Sequence, residues 1–197
     1  MRVTREQMQA NRTRILDAAG SLFREKGFDA VSVAEVMKAA GLTHGGFYGH
    51  FESKDDLIAK TIAHIFAAGA QGPDDLTTFL DAYLSPLHRD SIAKGCPTAA
   101  LVADVRRQTP AARVAMTAGF NAQIDRITSA VAQTESCHAR RAAIGAWAAL
   151  VGAIVLARTT DDPALSDEIL KETRDWISNR TTEPQTDGDT ALAPSEA

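Results

Sequence analysis

Residues 33–51, with the sequence VAEVMKAAGLTHGGFYGHF, constrain the fold of this chain more than any other segment. Apolar residues three and four positions apart predict a short helix with one buried stripe, formed by Val33, Val36, Met37 and Ala40. Gly41 predicts a tight turn after it, because glycine adopts backbone conformations that other residues avoid. Residues 44–50 then predict a second short helix, with Phe47 and Phe51 facing inward. Two short helices joined by a tight turn are typical of a helix-turn-helix.

Strong helix signals flank this motif on both sides. Upstream, residues 11–26 carry apolar side chains at the spacing of an amphipathic helix. Ser32 predicts an N-cap for the next helix, with a glutamate three residues on in a capping box. Ser53 and Asp56 repeat that device at the start of a long linking helix, predicted over residues 53–70.

The order of these elements carries a family resemblance. The segment RILDAAGSLFREKGFDAVSVAEVMKAAGLTHGGFYGHFESKDDLIAKTI resembles the DNA-binding domain of TetR/AcrR-family transcriptional regulators. The resemblance, with the helix signals, implies an all-α fold of about nine helices. It implies an N-terminal three-helix DNA-binding head with the helix-turn-helix (residues 1–52) and a C-terminal helical ligand-binding and dimerisation domain (residues 53–180). It also implies a sequence-specific repressor that a small-molecule inducer releases from a palindromic operator, rather than an enzyme.

The outward side of the motif's second helix is predicted to face double-stranded DNA. The resemblance implies that its N-terminal end reads base edges and that phosphates are contacted around it. The predicted DNA-binding residues are Ser32, Thr43, His44, Gly45, Gly46, Tyr48, His50 and Lys54. Plainer interpretations stay open: Ser32 as a cap alone, His44 as an idle surface histidine, and the glycines as residues that packing tolerates. Arg12 and Arg14 are interpreted as solvated charges on the first helix.

Composition and charge agree with this interpretation. Ala, Ile, Leu and Val dominate and aromatic residues make up 6%, so the chain is predicted to be nearly all helix. The formal net charge of −4 argues against a general nucleic-acid binder. Residues 1–64 hold nine Lys and Arg against eight Asp and Glu, whereas the remainder holds twelve against seventeen. A near-neutral head on an acidic body suits a head that faces DNA.

Helix-breaking residues divide the rest of the chain. The end of the linking helix and the start of the next are predicted at Gly69, Gly72, Pro73, Asp74 and Asp75. Later helices are predicted to begin at Pro97, Pro110 and Pro163, because proline suits the first helical position. Residues 181–197 lack a hydrophobic face and are predicted to be a disordered tail.

By resemblance, a ligand pocket is predicted between the linking helix and the next three helices. The residues expected to converge there are Phe66, Phe79, Tyr83, Leu101, Met116, Phe120 and Trp147, with Asn121 or His64 as polar groups. The set is mainly apolar and aromatic, so we expect an uncharged or weakly acidic organic inducer, no metal and no cofactor. The alternative is that most of these residues are ordinary core.

The last two helices predict a homodimer. The predicted contact residues are Gly145, Ala148, Ala149 and Gly152 on the penultimate helix, and Leu165, Ile169, Trp176 and Ile177 on the last. Two such helix pairs would form an intermolecular four-helix bundle about a two-fold axis that the operator mirrors.

The remaining features predict a cytoplasmic protein. The first residues are charged and polar, unlike a signal peptide. Residues 142–157 are uncharged but number only sixteen, whereas a spanning helix needs roughly 20, so a buried helix is favoured over a membrane span.

Cys96 and Cys137 have neither metal-ligand spacing nor the pattern of a disulfide framework. Cys96 precedes Pro97 at a helix start, where a thiol sensor of electrophiles and a small buried residue are alternatives, the second favoured. A helical enzyme or ligand carrier is the competing class, although no catalytic constellation supports it.

Overall fold

The computed structural model describes residues 4–69, 75–131 and 137–182, and within these ranges the chain is helical without strands. The α-helices are α1 Arg5–Lys26, α2 Val33–Ala39, α3 Lys54–Gly69, α4 Leu76–Tyr83, α5 Pro86–Asp90, α6 Pro97–Val105, α7 Pro110–Val131, α8 Cys137–Thr159 and α9 Pro163–Thr182. Two 3-10 helices span His44–Gly49 and Ile92–Lys94. The all-α prediction is confirmed. Gly72, Pro73, Asp74 and residues 183–197 of the predicted tail lie outside the described residues.

The helix starts follow the predicted caps. The Ser32 hydroxyl accepts a hydrogen bond from the backbone N–H of Glu35 at 3.1 Å, and the Ser53 hydroxyl accepts one from Asp56 at 3.1 Å. The Asp56 carboxylate accepts the N–H of Glu52 in return. Two bounds differ from prediction: α1 begins six residues earlier, at Arg5, because Thr4 caps it, and α9 extends to Thr182.

The head and part of the body share one apolar core. Ile15 and Phe23 of α1 lie in the same buried cluster as Leu101 of α6 and Met116 of α7. A second cluster joins α4, α8 and α9, with Leu150 fully buried at its centre. The head is therefore packed onto the body by burial of apolar side chains, and not only through the backbone of α3.

Helix α8 is the long apolar helix that the sequence singles out. By length and composition its segment Ala139–Thr159 could cross a membrane, with a mean hydropathy of 1.7 and 39% of the most apolar window buried. It packs mainly between α7 and α9, with Ala143, Leu150 and Ile154 fully buried. On the opposite side of α8, Ile144, Ala148 and Leu156 are exposed among the described residues.

Candidate DNA-binding surface and ligand cavity

The helix-turn-helix forms around Gly41. Its φ of +67° lies in the left-handed region that favours glycine, as the sequence predicts. The N–H of Leu42 donates to the carbonyl of Met37 at 2.9 Å, which closes the turn. The second helix is a 3-10 helix rather than an α-helix. Its six residues include three glycines, and glycine is a poor α-helix former.

The outward side of this 3-10 helix is the surface that the sequence predicts. Phe47 and Phe51 are buried and stack at 5.7 Å between ring centroids, whereas Tyr48 is 75% exposed. Six of the eight predicted DNA-binding residues are exposed: Ser32, Thr43, His44, Gly45, Gly46 and Tyr48. The other two, His50 after the 3-10 helix and Lys54 on the first turn of α3, are half-buried. We call these eight residues with Gly49 the reading surface.

The glycines of the reading surface are not required by packing within the chain. A Cβ atom at Gly45 or Gly49 would meet no atom within 4 Å, and one at Gly46 would make only an ordinary contact of 3.7 Å with Met37. None of the three has a positive φ. Contacts with the described residues therefore do not require glycine at any of the three positions.

Two arginines of α1 hold the motif in place, which sequence reasoning missed. Arg12 donates to the carbonyl of His50 and lies 4.4 Å above the ring of Phe51, and Arg14 donates to the carbonyl of Ala40. The interpretation of both as solvated charges is wrong, because each guanidinium donates a hydrogen bond to the backbone carbonyl at the C-cap of a short helix. Burial, and secondarily the charge of Arg12, lower the pKa of the His50 imidazole.

A cavity of about 450 Å³ lies at the joint between head and body. The predicted residues Phe66, Phe79, Tyr83 and Trp147 line it, together with His64. Tyr83 forms an aromatic wall with its neighbours: its ring centroid is 5.6 Å from Phe79 and 5.7 Å from Trp147.

Four predicted ligand-binding residues do not line this cavity. Leu101 and Met116 instead belong to the core shared by head and body. Phe120 packs edge-on against Phe66 at 6.5 Å, outside the cavity lining, and Asn121 is exposed on α7. The residues that α7 presents to the cavity are Gln123 and Arg126, one helical turn further on.

The cavity also differs from prediction in its position and its charge. Helix α1 forms one wall through Leu16, Asp17, Gly20, Ser21 and Arg24, and the sequence analysis did not predict this wall. Charged residues at the lining are Arg24, Lys94, Arg126 and Asp17. The predicted set is mainly apolar and aromatic, whereas three cations and one carboxylate line the described part of the cavity.

A network of hydrogen bonds holds the segment between α4 and α6, which lines part of the cavity. The ring of His88 accepts the N–H of Cys96 at Nε2 (2.8 Å) and contacts the carbonyl of Tyr83 through Nδ1 (2.6 Å). Because the amide can only donate and the carbonyl can only accept, the imidazole is neutral with its proton on Nδ1. Arg158 of α8 donates to the carbonyls of His88 and Arg89 at 3.0 and 2.9 Å. Burial lowers the pKa of His88, which agrees with a neutral ring.

Tyr83 and Cys96 are the buried polar groups of the cavity. The Tyr83 hydroxyl has no hydrogen-bond partner among the nitrogen and oxygen atoms of the described residues. Burial, and next the neighbouring Cys96 thiol, hold the pKa of Tyr83 well above its usual value. Cys96 is buried at the N-cap of α6, as predicted, and its burial favours the unreactive thiol over the sensor.

Comparisons with known proteins agree with this geometry along the chain. The family model described as bacterial regulatory proteins, tetR family, matches residues 15–61. The model described as tetracyclin repressor-like, C-terminal domain, matches residues 72–173. The first match ends within α3 and the second begins after it, so residues 62–71 lie between the two.

Curated relatives resemble the chain mainly in the head. The HTH-type transcriptional regulator AcrR of Shigella flexneri is 42% identical over 59 residues, which are 30% of this chain and 27% of AcrR. The HTH-type transcriptional repressor KstR2 of Rhodococcus jostii is 43% identical over 51 residues, 26% of this chain and 25% of KstR2. The match thus spans about a quarter of each of these relatives. An uncharacterized HTH-type regulator of Mycobacterium tuberculosis is 26% identical over 185 residues, 86% of this chain and 95% of its own.

Solved structures share the whole fold. The reduced form of E. coli NemR has a TM-score of 0.71 and 24% identity, covering 86% of this chain and 96% of NemR. A TetR-family regulator from Agrobacterium tumefaciens has a TM-score of 0.69 and 22% identity, covering 86% of this chain and 98% of its own. At such identities the likeness establishes the fold alone.

A helix-turn-helix with an outward second helix, set on an all-helical body, defines a DNA-binding transcriptional regulator. The N-terminal and the C-terminal domain models of one family both match, and the second match covers more than half of the chain. These matches specify the family of regulator. The chain belongs to the TetR family of transcriptional regulators. The family resemblance implied by the sequence is confirmed.

Proposed function

We propose that the chain is a homodimeric repressor that binds a palindromic operator and is released from it by a small organic inducer. The observation that carries the proposal is the reading surface. Its 3-10 helix contains three glycines at positions where contacts with the described residues do not require glycine. One curated relative of the head is itself named a repressor. The proposed division of labour places DNA binding in residues 1–52 and ligand binding and dimerisation in residues 53–180.

Each predicted DNA-binding residue has a proposed role. Thr43 and His44, at the N-terminal end of the 3-10 helix, read base edges in the major groove. The glycines let the backbone approach the DNA where any side chain would hold it away. The remaining predicted residues contact phosphates: Ser32, Tyr48, His50 and Lys54. Lys54 lies at the start of α3, where the free backbone N–H groups also suit a phosphate.

Dimerisation is proposed through the uncovered face of α8 and α9. A Cβ atom at Gly145 or Gly152 would meet nothing within 4 Å, so this side of α8 has room for another helix. Large apolar side chains are exposed beside it, among them Leu156 (57%) and Trp176 (46%). Of the predicted stripe on α9, Ile177 belongs instead to the core within the chain. The exposed apolar area is what a symmetric four-helix contact would bury.

The proposed release is a shift between two arrangements of the heads. An inducer lowers operator affinity only if it binds the DNA-incompetent arrangement more tightly. The cavity suits this role because α1 of the head and helices of the body share its walls. A repressor of this kind works in the cytoplasm, where its operator lies.

The experiment is a gel shift with DNA taken from immediately upstream of the protein's own gene. A sequence-selective shift that weakens with salt supports the regulator. No selective shift, together with a metabolite bound in the cavity, supports the competing class, a helical ligand carrier. Knowledge of the neighbouring genes then narrows the choice of inducers to test on the shifted complex.

A further inference from the structure

We propose that the effector is an organic carboxylate with an aromatic or other apolar body, its acidic group held between Arg24 of the head and Lys94 of the body. The inference rests on the proposed function, since it names the class of ligand for the same cavity. It narrows the sequence expectation of an uncharged or weakly acidic compound to an acidic one.

The cationic side of the cavity lies where head and body meet. Arg24 of α1 donates through Nε to the carbonyl of Ala93, the residue before Lys94, at 2.7 Å, and Arg24 and Lys94 both line the cavity. Neither forms an ion pair with a carboxylate of the described residues. The one carboxylate of the described lining, Asp17, lies 2.7 Å from His64.

A half-buried cation without an anion is costly for the folded chain. Desolvation by burial is the largest influence on Arg24 and lowers its pKa. The chain as a whole carries a formal net charge of −4, so an excess of cations at the cavity is local and not a general property. An anionic ligand would supply the missing partner, and Arg is suited to a planar carboxylate by its fork of donors.

The aromatic part of the lining indicates the chemistry of the rest of the ligand. Phe79, Tyr83 and Trp147 present aromatic surface, and the guanidinium of Arg126 lies 5.0 Å above the ring of Phe79. Tyr83, which is only 8% exposed, adds a buried hydroxyl without a nitrogen or oxygen partner in the described chain. Apolar walls with a few polar groups are the usual composition of a site for an organic molecule.

The position of Arg24 gives the ligand a direct means of acting on the head. Arg24 belongs to α1, the helix whose Arg12 and Arg14 hold the helix-turn-helix. A carboxylate bound by Arg24 and Lys94 ties α1 to the turn before α6. The ligand thereby favours one position of the head relative to the body, without acting only through α3.

The test compares matched carboxylates and amides on the full-length protein. The probes are 3-phenylpropanoate and naphthalene-2-carboxylate, each against its neutral amide, titrated by calorimetry at pH 7.5. We expect each carboxylate to bind at least about tenfold more tightly than its amide, as hydrogen bonds to charged groups imply. Lys94→Gln and Arg24→Gln should each reduce that preference to about threefold or less, whereas Arg106→Gln, which removes an exposed charge outside the cavity, should leave it intact.

Lys94 is exposed, so Lys94→Gln tests the inference even if the Arg24 variant fails to fold. Amides that bind as tightly as carboxylates, no binding of either carboxylate, or a preference that survives both substitutions would each overturn it. Gel shifts on the same samples separate the two proposals. A parent protein that does not bind operator DNA contradicts the proposed repressor function. The preference for carboxylates is measured by calorimetry alone, so it can fail or hold independently of that result.

Discussion

Two surfaces of the molecule contain glycines with empty space around the Cβ position, and they differ in the side chains beside them. On the head, Gly45 and Gly49 lie among polar and cationic groups, namely His44, Tyr48, His50 and Lys54. On α8, Gly145 and Gly152 lie among apolar groups that are exposed within the chain, namely Ile144, Ala148 and Leu156.

The comparison separates two uses of the same residue. In both places the missing side chain lets a partner approach the backbone closely. On the head the neighbouring donors and cations suit phosphates and base edges. On α8 the neighbouring methyl and methylene groups suit another helix, whose approach buries apolar surface. The side chains around a glycine, more than the glycine itself, therefore indicate the kind of partner.

The largest effect is expected from Gly152→Leu. A Cβ atom at this position would meet no described atom within 4 Å, and leucine is a better helix former than glycine, so the protomer should fold. The proposed contact between copies should be blocked, giving monomers in sedimentation equilibrium and a loss of about 100-fold or more in affinity for a full palindromic site. Ala122→Leu, on an exposed position of α7, is the matched control. A Gly152→Leu protein that stays dimeric and binds the full site normally would show that α8 faces no partner.

The next effect is expected from Gly49→Ala on the reading surface. A methyl group fits without contact in the free protein, so the free energy of unfolding should stay unchanged or rise by about 0.4–1 kcal/mol. Operator binding should weaken by about 1–3 kcal/mol, because the methyl group separates the backbone from the DNA. Gly69→Ala, also open around its Cβ position but outside the reading surface, should bind normally. Equal affinities for the two variants would return Gly49 to the status of a tolerated surface glycine.

A smaller effect is expected from single contacts of the reading surface. Lys54→Ala should weaken binding to all DNA sequences and lower the slope of log affinity against log salt by up to about one. Tyr48→Phe should also weaken binding without changing sequence preference, whereas His44→Ala should change which operator bases are preferred. Arg106→Ala, which removes a charge from the body, is the control for the salt slope. If all three variants bind like the parent, the 3-10 helix does not enter the groove.

The smallest effect is expected from a change of pH on the free energy of unfolding. It involves one histidine of the head, His50, and one of the body, His88. Burial lowers the pKa of both His50 and His88, so the unfolded chain binds protons more readily than the folded one. The stability that the two neutral histidines contribute is fully present above the pKa of about 6.5 that they have in the unfolded chain. It is lost as the pH falls below that value towards the pKa of the folded protein. Urea unfolding at pH 7.5 and 5.5 should show this loss.

Substitution of each histidine separates their contributions. His88→Gln should reduce the difference in unfolding free energy between the two pH values, because protonation of its Nε2 breaks the bond from the Cys96 amide. His50→Gln should do so for the head, and His44→Gln, at an exposed position, is the control. An undiminished pH dependence in both variants would place its origin in other groups.

The sequence predicted those features of the fold that depend on neighbouring residues. Ser32, Ser53 and Pro97 begin helices where expected, since caps act within one turn. The break between α4 and α5 was missed, although Ser85 and Pro86 carry the same signal there. The 3-10 geometry was missed because the spacing of Phe47 and Phe51 fits either helix type.

Features that join distant parts of the chain could not be predicted. The bonds from Arg12 and Arg14 reach carbonyls 38 and 26 residues away, and nothing in a helical pattern marks such partners. The same holds for the cavity: Arg24 faces it only because α1 packs on the turn before α6. Apolar character alone did not distinguish Leu101, which is core, from Tyr83, which lines the cavity.

The shared wall at α1 limits how freely the two halves of such a protein can be recombined. An exchange of residues 1–52 for the head of another regulator would also replace Leu16, Asp17, Gly20, Ser21 and Arg24 of the cavity. A chimera meant to keep this chain's chemical response while adopting a new operator would therefore inherit a foreign portion of the ligand site. The exchange that leaves the cavity whole begins after α1, so that the transplanted piece is the helix-turn-helix alone.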